Sequence, residues 1–122
     1  MSEAGLTIVA KDGEHHVRVL YLRGDVTELT HGALETRVED EIKSGHVRVV
    51  IDGSGLGLIS GMGAGKLIQL VHRLRKRRGD IRLAGLNATL VGMLRAMRLD
   101  RMLGLYPDVE AAVDSYASEM WM

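Results

Sequence analysis

Cysteine and phenylalanine are absent from this chain of 122 residues, which also has only one tryptophan, three tyrosines and one proline. Without cysteine there is no disulfide, no thiolate zinc site and no cysteine nucleophile. The shortage of aromatic rings argues against a protein that stacks single-stranded bases on exposed platforms. An excess of either charge is missing too: 16 basic and 16 acidic residues cancel, so no global field draws the chain to nucleic acid. No apolar run approaches membrane-spanning length, and residues 1–5 lack the basic-then-apolar order of a secretory signal. The expectation is a soluble, cytoplasmic protein.

What is present is aliphatic. Hydrophobic residues make up 46% of the chain, enough for a single domain spanning 1–122 with its core at about 6–118. No internal repeat, low-complexity tract or linker divides it.

The most informative stretch runs from Val47 to Val71. It begins with Val47, Val49, Val50 and Ile51, a β-branched run that reads as a buried strand over 47–51. It ends with Leu67, Ile68, Val71 and Leu74 at helical spacing, and Gly53, Gly55, Gly57, Gly61, Gly63 and Gly65 lie between, reading as a glycine-rich turn. Such a strand–turn–helix presents backbone N–H groups to a ligand or partner. A P-loop fits poorly, because Ser60 stands where its first glycine belongs and Leu67 where a magnesium-binding hydroxyl is required, and only Gly65-Lys66 keeps a nucleotide-binding enzyme as a third reading. The dinucleotide spacing fails as well, landing on Ser60 from Gly55, on Lys66 from Gly61 and on Ile68 from Gly63. The glycines therefore read as a closely packed turn, with Ser60 as the N-cap of the helix that follows.

Along the rest of the chain, strands are expected over 6–10 and 17–22, joined by Lys11-Asp12-Gly13-Glu14, whose Asp-Gly pair is a hairpin signal. Thr30 is placed to cap a helix carrying Leu34, Val38 and Ile42 and ending at Ser44-Gly45. The second helix is expected over about 62–78, stopping at Gly79. A strand follows over 81–84. Asn87 then caps a third helix with Leu90, Val91, Leu94 and Met97 as its apolar stripe. A last strand falls at 103–106, and Pro107-Asp108 opens a fourth helix. The order ββαβαβαβα makes an α/β domain with a mixed sheet, about four helices and right-handed crossovers, its helices on one or both faces.

Other residues read as surface. The run His72-Arg73-Leu74-Arg75-Lys76-Arg77-Arg78 suits the negative pole of a helix and is solvated, and with Glu35, Glu39, Asp40 and Glu41 on the first helix the two helices face one partner with opposite polarity. The five histidines, His15, His16, His31, His46 and His72, lack metal-ligand spacing, so no metal or cofactor is expected. Ser54 and Ser60 have no evident base, and the chain reads as no enzyme. The apolar end Met120-Trp121-Met122 packs back on the domain or joins a homodimer contact.

Five segments in order carry a resemblance. Arg23-Gly24-Asp25-Val26 resembles a Gly-Glu-Leu-Asp stretch, and Val49-Val50-Ile51-Asp52-Gly53-Ser54-Gly55-Leu56 a strand ending Val-Leu-Asp-Leu-Ser-Gly-Val. Gly79-Asp80-Ile81-Arg82-Leu83-Ala84-Gly85-Leu86 resembles Gly-Gly-x-Leu-x-Leu-x-Gly-Leu. Arg98-Leu99-Asp100-Arg101-Met102-Leu103 resembles Gly-Leu-Asp-Arg-Leu-Phe, and Asp108-Val109-Glu110-Ala111-Ala112 resembles Ser-x-Glu-Glu-Ala. Over about 6–117 the chain resembles the STAS domain, the fold of anti-sigma factor antagonists and of sulfate-transporter tails. The resemblance implies a STAS-like single domain.

It also implies a site, and there the chain departs from the pattern. The family's Ile-Asp-Ser-Ser-Gly-Leu-Gly falls on Ile59, Ser60, Gly61, Met62, Gly63, Ala64 and Gly65, so Met62 replaces the serine that a cognate anti-sigma kinase phosphorylates. Thr27 replaces an aspartate before the first helix. Thr27, Ser60, Gly61, Met62, Gly63 and Lys66 are the implied partner-binding residues, and Ser60 is the nearest candidate phosphoacceptor. The implied function is a non-enzymatic regulator that binds an anti-sigma factor of serine-kinase type or a related regulator. The alternative is an accessory subunit of an ABC-type lipid transport system, docking on a transporter ATPase. Met62 reads equally as a surface contact or as a core filler.

Overall fold

The β-branched and leucine-rich runs pair into one six-stranded sheet in the computed structural model of the chain, which describes residues 2, 3 and 5–119. Its elements are β1 Ser2–Glu3, β2 Leu6–Asp12, β3 Val17–Val26, α1 His31–Lys43, β4 Arg48–Ile59, α2 Gly61–Arg75, β5 Asp80–Ala84, α3 Ala88–Ala96, β6 Gly104–Tyr106 and α4 Val109–Asp114. Short 3-10 turns lie at Leu99–Arg101 and Ala117–Glu119. The strands stand in sequence order, antiparallel from β1 to β3 and parallel from β3 to β6. From β2 onward this is the expected order; the two-residue β1 is an addition. The residues 120–122, considered for a homodimer contact, lie outside those described.

Because α1, α2 and α3 each return the chain one strand further in the same direction, crossovers of one hand place all three on one face. There Leu20, Leu22, Val49, Ile51, Ile81 and Leu83 of the sheet meet Leu34, Val38, Leu67, Leu70, Leu74, Leu90 and Leu94 of the helices, all buried. Each such aliphatic side chain contributes roughly 1.5–3 kcal/mol on burial. The opposite face is covered by α4, whose Ala112 and Val113, with Tyr116 beyond, pack on Val17, Val19, Val50 and Ala84. Arg82 stacks on the Tyr116 ring at 3.8 Å and bonds Ser115 Oγ at 2.7 Å, which keeps a strand arginine buried.

The largest departure from expectation is β4. It continues through Gly53, Gly55 and Gly57 to Ile59, pairing Val26↔Ile59 on β3, where a turn was expected after 51. Two register shifts, between Tyr21/Arg23 and between Gly24/Asp25, insert an extra β4 residue each. Glycine suits both, since β-bulges need unusual backbone and close approach. A Cβ at Gly55 would lie 2.8 Å from Leu22 O, and one at Gly53 2.3 Å from Leu86 Cδ2.

Smaller corrections follow the same logic. The helix expected over 62–78 ends at Arg75, and Arg78 takes the left-handed conformation at φ +61°. Gly79 is then required by contact, as its Cβ would meet Val47 O at 2.0 Å. In the β2–β3 hairpin the left-handed residues are His15 and His16 (φ +61° and +62°), with Gly13 outside the tight turn closed by Val17 N–H to Glu14 O. Thr30 occupies the N-cap position of α1 without capping it. Its hydroxyl donates to Asp25 O (2.7 Å) and accepts from Thr27 N–H (2.9 Å), pinning the β3–α1 turn instead. Met97, expected in the stripe of α3, is 43% exposed, because α3 ends one residue before it.

The acidic α1 and basic α2 do not face a shared partner; they face each other. Lys66 Nζ lies 3.1 Å from Glu35, and Arg73 bonds both Glu39 and Glu35. At the far end of α1, the buried Glu41 takes Arg18 (3.0 Å), Arg37 (3.3 Å) and His46 (2.9 Å), which ties the helix to β3.

Candidate functional site

The parallel strands β3 and β4 deliver two loops to one end of the sheet, and the implied site residues gather there. Ser60 N–H donates to Val26 O at 2.9 Å, which holds the start of α2 against the end of β3, one residue before Thr27. Ser60 caps α2 as expected, its Oγ accepting from Gly63 N–H at 3.0 Å. Thr27 is fixed in the adjoining turn: its Oγ1 accepts from Leu29 N–H at 3.1 Å.

Within the first turn of α2 the side chains divide sharply. Gly63 and Ala64 are buried. A Cβ at Gly63 would come within 2.3 Å of Val26 O, so only glycine lets α2 sit this close to β3. Met62, by contrast, is 60% exposed. Gly61 and Gly65 are exposed as well, and a Cβ at either would meet nothing within 4 Å. The fold makes no steric demand for glycine at these two positions. Together with Gln69, they give α2 an outward face nearly bare of side chains, from which Met62 projects. Lys66 points elsewhere, to Glu35 on α1, and its bond holds that carboxyl below the usual glutamate range.

Two apolar residues at this end escaped periodicity. Leu29, in the turn after β3, and Leu58, next to the end of β4, are 78% and 48% exposed. Their only sequence signal was leucine in a loop and leucine among glycines, and neither fits a core stripe. With Met62 they add exposed apolar side chains to this end of the sheet, beside the charged Arg23 and Glu28. A groove of about 520 Å³ opens beside Leu29, between β2 and α1, lined by Leu6, Ile8, Ala33 and Arg37. Exposed apolar side chains clustered at one end mark a contact surface. Chemistry is a poorer fit, since the hydroxyl of Ser60 is engaged as a cap. Glu14, His15 and Asp114, whose ligand atoms lie within 4.8 Å of one another, sit at the opposite end of the sheet.

A family model, the STAS domain, matches residues 9–112. No curated protein matches the sequence. Among solved structures, an anti-sigma factor antagonist from Mycobacterium paratuberculosis is similar at 22% identity and a TM-score of 0.80, covering 94% of this chain and 97% of that one. A sulfate transporter family protein from Wolinella succinogenes is similar at 18% identity and 0.75, covering 91% and 92%. The Bacillus cell fate determinant SpoIIAA in its phosphorylated form follows at 14% identity and 0.68, covering 89% and 98%.

Proposed function

The chain belongs to the STAS domain family, and from that premise we propose that it is a non-enzymatic regulator of anti-sigma factor antagonist type, docking on its partner through the outward face at the start of α2. The observation that carries this reading is the exposed Met62 beside Gly61 and Gly65, two glycines that the fold does not require. A bare helix face admits close approach of a partner's backbone, and a flexible methionine adapts to an apolar pocket. Thr27, Ser60, Gly61 and Gly63 shape that face, with Leu29 and Leu58 extending it.

A hydroxyl in this first turn would accept a phosphate that the helix dipole tolerates, yet the added charge would spoil an apolar contact. Methionine keeps the surface uncharged at that position, so the docking face is not switched by phosphorylation there. Ser60 is the remaining hydroxyl in the turn. Phosphorylating it would exchange the neutral cap to Gly63 N–H for a charged one and place that charge beside Met62.

A second reading, an accessory subunit docking on the ATPase of an ABC-type lipid transport system, draws on the likeness to the sulfate transporter family protein. No helix among the described residues is long and apolar enough to cross a membrane. Pull-down from the native host, with the captured protein identified by mass spectrometry, separates the two. A kinase-type anti-sigma factor supports the first reading, and an ATPase subunit replaces it with the second.

A further inference from the structure

Net neutrality conceals a strong local segregation of charge. Of the acids of α1, Glu35 and Glu39 bind Lys66 and Arg73 of α2, and Asp80 is taken up by Arg75 and Arg82. Unpaired cations at the end of the molecule opposite Met62 are Lys76, Arg77 and Arg78 after α2, and Arg95, Arg98 and Arg101 at the end of α3 and the turn beyond it; the exposed acids of that end, Glu14, Asp40 and Asp114, stand on the β2–β3 hairpin, α1 and α4 instead. All six cations are exposed, and none of the six side chains has an ion pair or hydrogen bond among the described residues. Arg75 Nη2 bonds Met102 O at 2.7 Å, which sets the two groups side by side. The single acid in the 92–106 stretch is Asp100.

Two further observations bear on what this patch meets. Arg78 and Arg98 each close a helix in the left-handed conformation, at φ +61° and +60°, a position where glycine is the relaxed choice. The outer face of α3, through Ala88, Thr89, Gly92 and Ala96 to Met97, is exposed and carries no acid. We propose that this end of the molecule rests on an anionic bilayer surface, its six cations in the headgroup layer and Met97 dipping among them. Both helices present their C-terminal carbonyls here, so there is no N–H cradle for a bound phosphate group. The attraction is delivered by long, unheld side chains, which suits a diffuse anionic surface better than a shaped protein pocket or a nucleic-acid groove. At about 1.5 Å per residue, the fifteen residues of α2 separate this patch from the Met62 end by roughly 22 Å, leaving both free to be occupied together.

Sedimentation of the full chain with vesicles tests this. With phosphatidylcholine vesicles carrying about a third phosphatidylglycerol, the protein should pellet at about 50 mM salt and be released by about 300 mM, and it should ignore pure phosphatidylcholine. The triple variant Arg77→Glu, Arg95→Glu, Arg101→Glu should lose at least about 100-fold in partitioning, while Arg23→Glu, at the other end, retains it. If the triple variant melts early, Arg77→Gln with Arg101→Gln should still lose about tenfold. Absence of pelleting with anionic vesicles overturns the proposal, as does equal binding to neutral ones or an unaffected charge variant. Displacement from the vesicles by an equimolar short DNA duplex would reassign the patch to nucleic acid.

Discussion

Gly63 and Gly65 stand two residues apart on α2, yet they belong to different regions of the molecule and exist for different reasons. Gly63 faces inward, where a Cβ would press to 2.3 Å of Val26 O; Gly65 faces outward, where a Cβ would touch nothing within 4 Å. The inner side of this turn is dictated by packing against β3. The outer side, with Gly61, Met62 and Gly65, is free of any demand from the fold. A helix exposes glycine at a cost of roughly 0.5–1 kcal/mol relative to alanine. Residues that the fold does not ask for, and that weaken the helix, point to a partner.

The largest expected effect lies on the inner side. Gly63→Ala should destabilise the domain by about 3 kcal/mol, because a backbone carbonyl cannot yield as a flexible side chain can. The shift in urea midpoint reads it directly, and a loss below about 0.5 kcal/mol would dissolve the contrast between the two faces. On the outer side the sign should reverse. Gly65→Ala should stabilise by about 0.5–1 kcal/mol in the same measurement while weakening partner binding. A destabilised Gly65→Ala would show that this face is already packed.

Smaller still is the acid response of the α1–α2 pair. Lys66, then Arg73, hold the Glu35 carboxyl below its usual range, so its folded pKa is depressed. The contribution to stability is present above the unfolded pKa and fades as pH falls through the folded one. The pair is partly solvated, which keeps the effect small. Lys66→Met should therefore flatten the stability profile on its acid side and leave the region above neutrality nearly parallel to wild type. An unchanged acid limb would remove Lys66 from the clamp.

Much of this architecture was legible in the residues. Leu34 and Val38 at helical spacing, Asn87 as a cap, Pro107-Asp108 at the opening of the last helix and Ser60 ahead of a helical run all do what their chemistry suggests. The path of β4 was not legible, because glycines that admit a bulge and glycines that make a turn look alike until a neighbouring strand is present to pair. Thr30 failed as a cap for a similar reason, since its hydroxyl had a better acceptor in Asp25 O across the turn. Of the site, the position of Met62 could be read and its exposure could not. The stripe of Leu67, Val71 and Leu74, carried back one turn, falls on Gly63 and Ala64 and passes Met62 by, but the glycines around Met62 left the start of the helix undefined. Leu29 and Leu58 were invisible because a contact surface has no repeat of its own. The bond from Lys66 to Glu35 was not legible either, since the acid lies 31 residues away on another helix.

The central claim is that Met62 contacts a partner and not the core, and Met62→Asp tests it most directly. An acidic residue in the first helical turn suits the dipole, so the melting temperature should move by less than about 4 °C. Affinity for the kinase-type anti-sigma factor, measured by calorimetry on the same preparation, should fall by at least about tenfold, because a carboxylate would be forced against apolar surface without a matching cation. Unchanged affinity at unchanged stability would contradict the account, and so would a large loss of stability.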